Sequence, residues 1–222
     1  MRYSHILWDW NGTLLDDVRG CLSCVNRMLA ARKMAALASV EAYRKVFGFP
    51  VMDYYRLLGF DFEKEPYEDL AREYMDLYLS EDYALYPGAA RVLAAARKRG
   101  VRQVILSASE TSILQRQIEK AGIAPYIDGI LGTDNILAAG KAETGRAFME
   151  SGDVSSALLV GDTLHDHEVA RFIGADCLLV ANGHQCRETL LSSGAPVLEN
   201  IAGVLDFIES AYRWPGAAPA RT

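Results

Sequence analysis

The sequence predicts an α/β fold, a doubly wound parallel sheet whose first strand is followed by a long helical insertion. Three observations predict it. Short, wholly apolar runs alternate with amphipathic segments along most of the 222 residues, the pattern of strands buried on both faces and joined by right-handed helical crossovers. Glycine follows the helical segments at Arg99-Gly100-Val101, Ala121-Gly122-Ile123 and Ile173-Gly174-Ala175, where left-handed C-caps lead into strands. Between Asp17 and Tyr86 the alternation stops, and eight of the eleven Tyr fall in that stretch.

The first strand is Ile6–Asp9, an apolar run that delivers a carboxylate to a strand end. The Asn11-Gly12-Thr13 turn after it can aim backbone N–H groups at an anion. A helix is expected to begin near Asp17, with Asp16 or Asp17 as N-cap and with Cys21 and Cys24 on one face. The insertion reads as three or four helices whose aromatics mainly fill their own small core. It returns through Tyr86-Pro87-Gly88, which suggests a lid over the strand ends. Helix 88–99 then leads to strand Gln103–Ser107, and helix 111–121 to strand Gly129–Gly132. Helix 141–150 leads to strand Ala157–Gly161, and helix 166–173 to strand Cys177–Val180. The expected division is 1–16 with 87–212 as the sheet core and 17–86 as the helical insertion. The aperiodic segment 213–222 is expected to be a disordered tail.

With 50% apolar residues the chain is long enough for one large domain, or a core with a small insert. No apolar run approaches the roughly 20 residues of a membrane span, and residues 1–8 lack the pattern of a secretory signal. A net charge of −6 argues against nucleic acid or an anionic membrane as partner, but leaves room for a small anionic ligand. The four Cys hold one C-x-x-C, at Cys21 and Cys24. With no second ligand pair it reads as packing on a helix face rather than as zinc or redox chemistry. The expectation is a reduced, cytoplasmic protein, monomeric or homodimeric.

Chemistry-bearing residues fall at the ends of the predicted strands. Asp9 ends the first and Ser107 the second, Lys141 opens a helix after Gly140, and Asp162 and Asp166 follow the fourth strand. Strand ends of a parallel sheet share one side, so three carboxylates, a hydroxyl and an ammonium converge. A hard divalent cation, which takes carboxylate oxygens, and a phosphoryl group held by Lys and N–H groups account for that gathering. Mg²⁺ prefers oxygen, so His165 and His167 are left outside its shell, and His184 reads as a loop or cap residue.

In order, these elements resemble the four motifs of the haloacid dehalogenase superfamily, beginning with Asp9-Trp10-Asn11-Gly12-Thr13-Leu14. The resemblance covers almost the whole chain and looks closest to the phosphoglycolate phosphatase-like branch. It implies a Rossmann-like core with an inserted helical cap, and a Mg²⁺-dependent phosphohydrolase acting on a small phosphorylated metabolite. The implied roles are Asp9 as nucleophile and metal ligand, Asn11 as metal ligand through its backbone carbonyl, and Asp162 and Asp166 as metal ligands, Asp166 directly or through water. Ser107 and the N–H of Ala108 would hold a phosphoryl oxygen, with Gly12 and Thr13 contributing to the phosphate site and Lys141 balancing charge.

One position departs from the superfamily's Asp-x-Asp-Gly-Thr pattern: Asn11 replaces the Asp that serves its phosphatases as acid and base. An amide does not exchange a proton at neutral pH, and general acid–base assistance is worth about 10²–10⁴ in rate. Four readings follow: a hydrolase of substrates that leave easily, one whose proton comes from the cap or the substrate, a weak or inactive phosphometabolite-binding relative, and a branch that never uses the second Asp. Phosphonatases are such a branch, but the stretch Arg44–Asp53 sets Val51 where their cap Lys would stand, with Lys45 offset. A metal-free dehalogenase would leave Asp162 and Asp166 as like charges without a cation.

Overall fold

The computed structural model describes residues 3–137, 140–152 and 154–209. The expected tail at 213–222 lies outside them. In chain order the elements are β1 (His5–Trp8), β2 (Leu15–Asp16), α1 (Val18–Ala31), α2 (Val40–Val46), α3 (Val51–Leu57), α4 (Tyr67–Leu79), β3 (Ala84–Leu85), α5 (Ala89–Lys98), β4 (Arg102–Glu110) and α6 (Thr111–Lys120). Then follow β5 (Gly129–Thr133), α7 (Ala142–Glu150), β6 (Ala157–Gly161), α8 (Leu164–Ile173), β7 (Asp176–Val180), α9 (Arg187–Leu191), β8 (Val197–Leu198) and α10 (Val204–Glu209). No helix among the described residues is long and apolar enough to cross a membrane.

Six strands form one sheet in the order β5-β4-β1-β6-β7-β8, and every pairing in it is parallel. The chain steps outward from β1 to β4 and β5, then crosses to the other side of β1 for the rest. The carboxyl ends of β1, β4 and β6 are therefore neighbours at the point where the winding reverses, the usual crevice for ligands in open α/β sheets. The sheet centre is dry: Ile6, Leu7, Trp8, Ile105, Leu106, Leu158, Leu159 and Val160 are all fully buried. The three glycines expected as C-caps have positive φ, 76° at Gly100, 69° at Gly122 and 73° at Gly174.

Helices α1–α4 gather on an apolar cluster of their own. In α1 the buried residues Val18, Cys21, Cys24, Val25, Met28 and Leu29 recur at helical spacing and face that cluster. Both Cys are free and buried, as the packing reading has it. The two connections to the insertion are zipped together, Leu15 pairing with Leu85 and Asp16 with Ala84 in an antiparallel ribbon. That ribbon puts β3 inside a stretch expected to hold no strand. At two residues per strand there is no alternation to read, and the same is true of β8.

The insertion is docked on the loop after β7. Arg44 donates from Nε to Gly183 O at 2.7 Å and from Nη2 to Asn182 O at 2.6 Å, Gln185 Nε2 reaches Phe47 O at 3.2 Å, and Tyr86 OH reaches Asn182 O at 2.8 Å.

Candidate active site

Asp9 sits one residue beyond β1, and its N–H extends the ladder to Val160 O at 2.9 Å. The carboxylate is buried. Oδ1 meets Lys141 Nζ, and Oδ2 lies 3.1 Å from Thr13 Oγ1. Thr13 Oγ1 also lies 2.9 Å from Asp162 Oδ1; with one hydroxyl proton it donates to one carboxylate at a time. Asp162 Oδ2 accepts the His184 N–H at 2.6 Å.

Lys141 stands at the N-cap of α7 and is only 3% exposed, which rules out an ordinary solvated Lys. Its ammonium meets Asp9, Asp166 Oδ1 at 2.7 Å and Leu106 O at 3.0 Å, matching its three donors with three acceptors. Asp166 Oδ2 accepts from Asp162 N at 3.1 Å, Thr163 N at 2.9 Å and Thr163 Oγ1 at 2.7 Å. With Thr163 it forms a capping box at the start of α8. Oδ2 is therefore fully occupied, and any cation meets Asp166 through Oδ1 or through water.

Asp9, Asp162 and Asp166 offer ligand oxygens within 4.8 Å of one another, with one Lys to balance them. Burial, together with Asp166 and against Lys141, pushes the Asp9 carboxyl up to about 6. Burial, with repulsion from Asp9 and Asp166, pushes Asp162 up to about 8 despite His184. Burial acts to raise Asp166 too, but Lys141 and the Thr163 hydrogen bonds outweigh it and hold it low. A hard, oxygen-seeking divalent cation fits this donor set: it would ionise the two raised carboxyls and supply the missing positive charge.

The expected phosphate contacts divide. Ser107 and Ala108 line the cavity over the strand ends, and Ser107 Oγ accepts the Ser109 N–H at 3.1 Å. Ser107 does not end its strand. β4 shifts register after Leu106 and resumes pairing at Glu110 with Thr133, so Ser107–Ser109 form an irregular stretch beside the site. Gly12 and Thr13 do not present N–H groups to an anion. Gly12 N donates to Leu15 O at 3.0 Å and Asp17 Oδ1 at 2.9 Å, and Thr13 N to Trp10 O at 3.3 Å. Gly12 has φ +74°, and a Cβ there would lie 2.4 Å from both Asp162 Oδ2 and His184 Cδ2; its role is close approach beneath the carboxylates.

Sequence reasoning missed the surroundings of Asn11. Asp17 holds the N-cap position of α1 but makes no cap hydrogen bond. It is fully buried, and its Oδ2 accepts from Asn11 Nδ2 at 2.7 Å and Tyr78 OH at 2.9 Å. Asn11 Nδ2 also reaches Tyr78 OH at 2.8 Å, and Asn11 Oδ1 accepts from Ser109 Oγ at 2.7 Å. His184 Nε2 lies 3.3 Å from Asp17 Oδ1, and its Nδ1 lies 2.8 Å from Tyr43 OH. Burial acts to raise Asp17 and lower His184, and their contact reverses both, so Asp17 is held low and His184 high. Cys21 Sγ closes the group at 3.5 Å from Asp17. The consecutive acids Asp16-Asp17 are the signal the sequence offers, and capping preference alone accounts for them. His165 stacks on Phe49, ring centroids 4.5 Å apart.

The model of the haloacid dehalogenase-like hydrolases matches residues 6–180. The chain belongs to that family. It is similar to the phosphoglycolate phosphatase of Caulobacter vibrioides, 24% identical over 81% of this chain and 79% of that protein. It is also similar to the phosphoglycolate phosphatase of Pseudomonas fluorescens, 27% identical over 90% of this chain and 78% of that protein. Among solved structures, a haloacid dehalogenase-like family hydrolase from Streptococcus pneumoniae shares the fold with a TM-score of 0.79, 20% identity, and coverage of 93% of this chain and 98% of that one.

Proposed function

We propose that the protein is a Mg²⁺-dependent phosphohydrolase that acts on a small phosphorylated metabolite through an aspartyl-phosphate at Asp9. The observation that carries this reading is Asp9 itself, a buried carboxylate at the centre of the sheet's carboxyl edge. It faces a cavity, is held by Lys141, and lies within 4.8 Å of two further carboxylates. A protein that only binds a ligand has no need of a nucleophile there. The phosphatase names of the similar relatives point the same way.

Asp9, the backbone carbonyl of Asn11, Asp162 and Asp166 would hold Mg²⁺, with Asp166 through Oδ1 or a water. Bound there, the ion supplies charge neutralisation and polarises a phosphoryl oxygen. Asp9 attacks phosphorus, Lys141 exchanges one of its carboxylate contacts for a phosphoryl oxygen, and Ser107 with the Ala108 N–H holds another. Residues 17–86 act as a cap over the core formed by 1–16 and 87–212 and exclude water from the transfer. Asn11 holds the leaving side of the site but gives it no proton, so the substrate leaves easily: an acyl phosphate, an anhydride or an activated ester.

The test is a panel of phosphate esters, acyl phosphates and phosphonates with and without Mg²⁺. Turnover that needs Mg²⁺ and is abolished by Asp9→Asn is expected. No turnover of any member, with orthophosphate still bound, would establish a phosphometabolite-binding protein instead.

A further inference from the structure

The cavity above Asp9 continues into the insertion, and its two ends differ in chemistry. It encloses about 170 Å³, on the scale of cavities that admit a benzene ring. At the sheet end it is charged. Its far wall is made by Val25, Phe47, Tyr54, Tyr55, Tyr74 and Met75, a surface of aromatic rings and apolar chains.

Positive charge is what that wall lacks. The lining holds five carboxylates, Asp9, Asp17, Glu110, Asp162 and Asp166, and Lys141 is its only Lys or Arg among the described residues. All three Lys141 donors point into the sheet end. His184 has both ring nitrogens engaged, with Asp17 and Tyr43, whereas His165, stacked on Phe49, lines the cavity with a buried Nε2 that has no hydrogen-bond partner among the described residues. A leaving group with its own carboxylate would enter a lining of five carboxylates with only the His165 Nε2 left to meet it, which is unfavourable. Uncharged groups remain, and the rings favour an aromatic one in stacked or edge contact.

Tyr54 adds a second, independent observation. It is 4% exposed, lines the cavity, and its hydroxyl has no hydrogen-bond partner among the described residues. A buried polar atom without a partner calls for an explanation, and a polar group on the ligand supplies one. Asn11 narrows the choice further. With no proton given to the leaving oxygen, a phenolic oxygen, whose acidity resembles that of a tyrosine side chain near pKa 10, departs far more readily than an alkoxide.

We propose that the leaving group is a neutral aromatic ring bearing a polar substituent that meets Tyr54, so that the substrate is an aryl phosphate monoester and not a carboxylate-bearing phosphate. The proposal rests on the phosphohydrolase reading above. An Asp9 oxygen forms a bond to phosphorus while the P–O bond to the ring breaks, its electron pair going to the phenolate. The phenolate takes a proton from water after it leaves. A second water then hydrolyses the aspartyl-phosphate, restoring Asp9 and releasing orthophosphate.

The test separates ring recognition from turnover. Calorimetry of the whole chain with Mg²⁺ compares phenylphosphonate with phosphonoacetate, one carrying a ring and the other a carboxylate. Phenylphosphonate is expected to bind at least tenfold more tightly. The better of 3- and 4-hydroxyphenylphosphonate should bind more tightly still, and Tyr54→Phe should cut that added advantage about fivefold, the scale of one net hydrogen bond. The comparison on the parent protein stands even if that variant does not fold. Phosphonoacetate binding as tightly as phenylphosphonate, or more so, overturns the proposal. Hydrolysis of acetyl phosphate, sensitive to Asp9→Asn, reports on the phosphohydrolase reading alone. Acetyl phosphate turnover without ring preference sinks only the aryl proposal. No turnover and no binding of either phosphonate sinks both.

Discussion

Converting Asn11 to Asp restores the superfamily's usual residue, yet in this chain it should not behave as a simple repair. Asn11 Nδ2 lies 2.7 Å from Asp17 Oδ2. A carboxylate at position 11 would set two negative oxygens at that separation, a repulsion of about 6 kcal/mol at an effective dielectric constant of about 20. The pair escapes most of it by sharing one proton at neutral pH. The native state then binds a proton that the unfolded chain, with both carboxyls near 4, has released. The variant should therefore lose stability as pH rises above about 4. The exchange Asn11→Asp with Asp17→Asn restores a complementary pair, because the amide at 17 can donate to the carboxylate at 11. Thermal unfolding at pH 5 and pH 8 should show the single variant weakened at pH 8 and the double variant largely recovered. Steady-state kinetics should show alkyl phosphate hydrolysis in the double variant above the parent by about 10²–10⁴, the general acid–base factor, with a smaller gain for aryl and acyl phosphates. If phosphoryl transfer from Asp9 to water limits turnover instead, burst kinetics will reveal it and all substrates will gain alike. A single variant as stable as the parent at pH 8 refutes the charge argument. A folded, Mg²⁺-binding double variant with no gain on any substrate refutes the proton-transfer account.

Asp162→Ala should abolish Mg²⁺ binding by calorimetry, and unchanged affinity would remove the metal assignment. The metal-free protein should grow less stable between about pH 4 and pH 8: Asp9 and Asp162 are raised from 3.8 to about 6 and about 8, so the native state holds protons that the unfolded chain has lost. Melting in EDTA should thus be lower at pH 8 than at pH 5, and Mg²⁺ should restore it at pH 8; the opposite pH trend would refute the electrostatic account of the carboxylates. Asp9→Asn should keep the fold and fail to trap fluoroberyllate, and trapping at the parent's level would exclude Asp9 as nucleophile. Ligand should slow hydrogen exchange at residues 48–53 and at the two connections of the insertion; unchanged exchange there would count against a closing cap.

The sheet was legible because its strands are short apolar runs with both faces buried, and Ile6–Trp8 or Leu158–Val160 admit little else. The convergence of Asp9, Lys141, Asp162 and Asp166 followed from strand ends alone, since a parallel sheet points them one way. What could not be read was where the polar atoms around them are satisfied. Gly12 sits in a turn that resembles an anion cradle, yet its N–H is taken by Leu15 and Asp17. His184 lies 141 positions from Tyr43 and 167 from Asp17 in sequence, and no local pattern announces contacts of that range. Capping preferences favour Asp at position 17, so the more local explanation concealed the buried one.

Those hidden contacts give a physical reason for the amide at position 11. The cavity's sheet end already carries the carboxylates of Asp9, Asp17, Asp162 and Asp166, against Lys141 and the His184 imidazole. Asp17 is tied to His184, Tyr78 and the Gly12 N–H, and a fifth carboxylate beside it would have no counter-charge. Asn11 instead donates to Asp17 and accepts from Ser109, leaving no lone charge on that side of the cavity. In the proposed reaction the same exchange leaves position 11 without a group that can protonate a departing alkoxide. Charge balance around Asp17 and tolerance of poor leaving groups thus pull position 11 in opposite directions. Under the proposed function, a substrate whose oxygen departs unprotonated is the condition under which an amide at this position retains turnover.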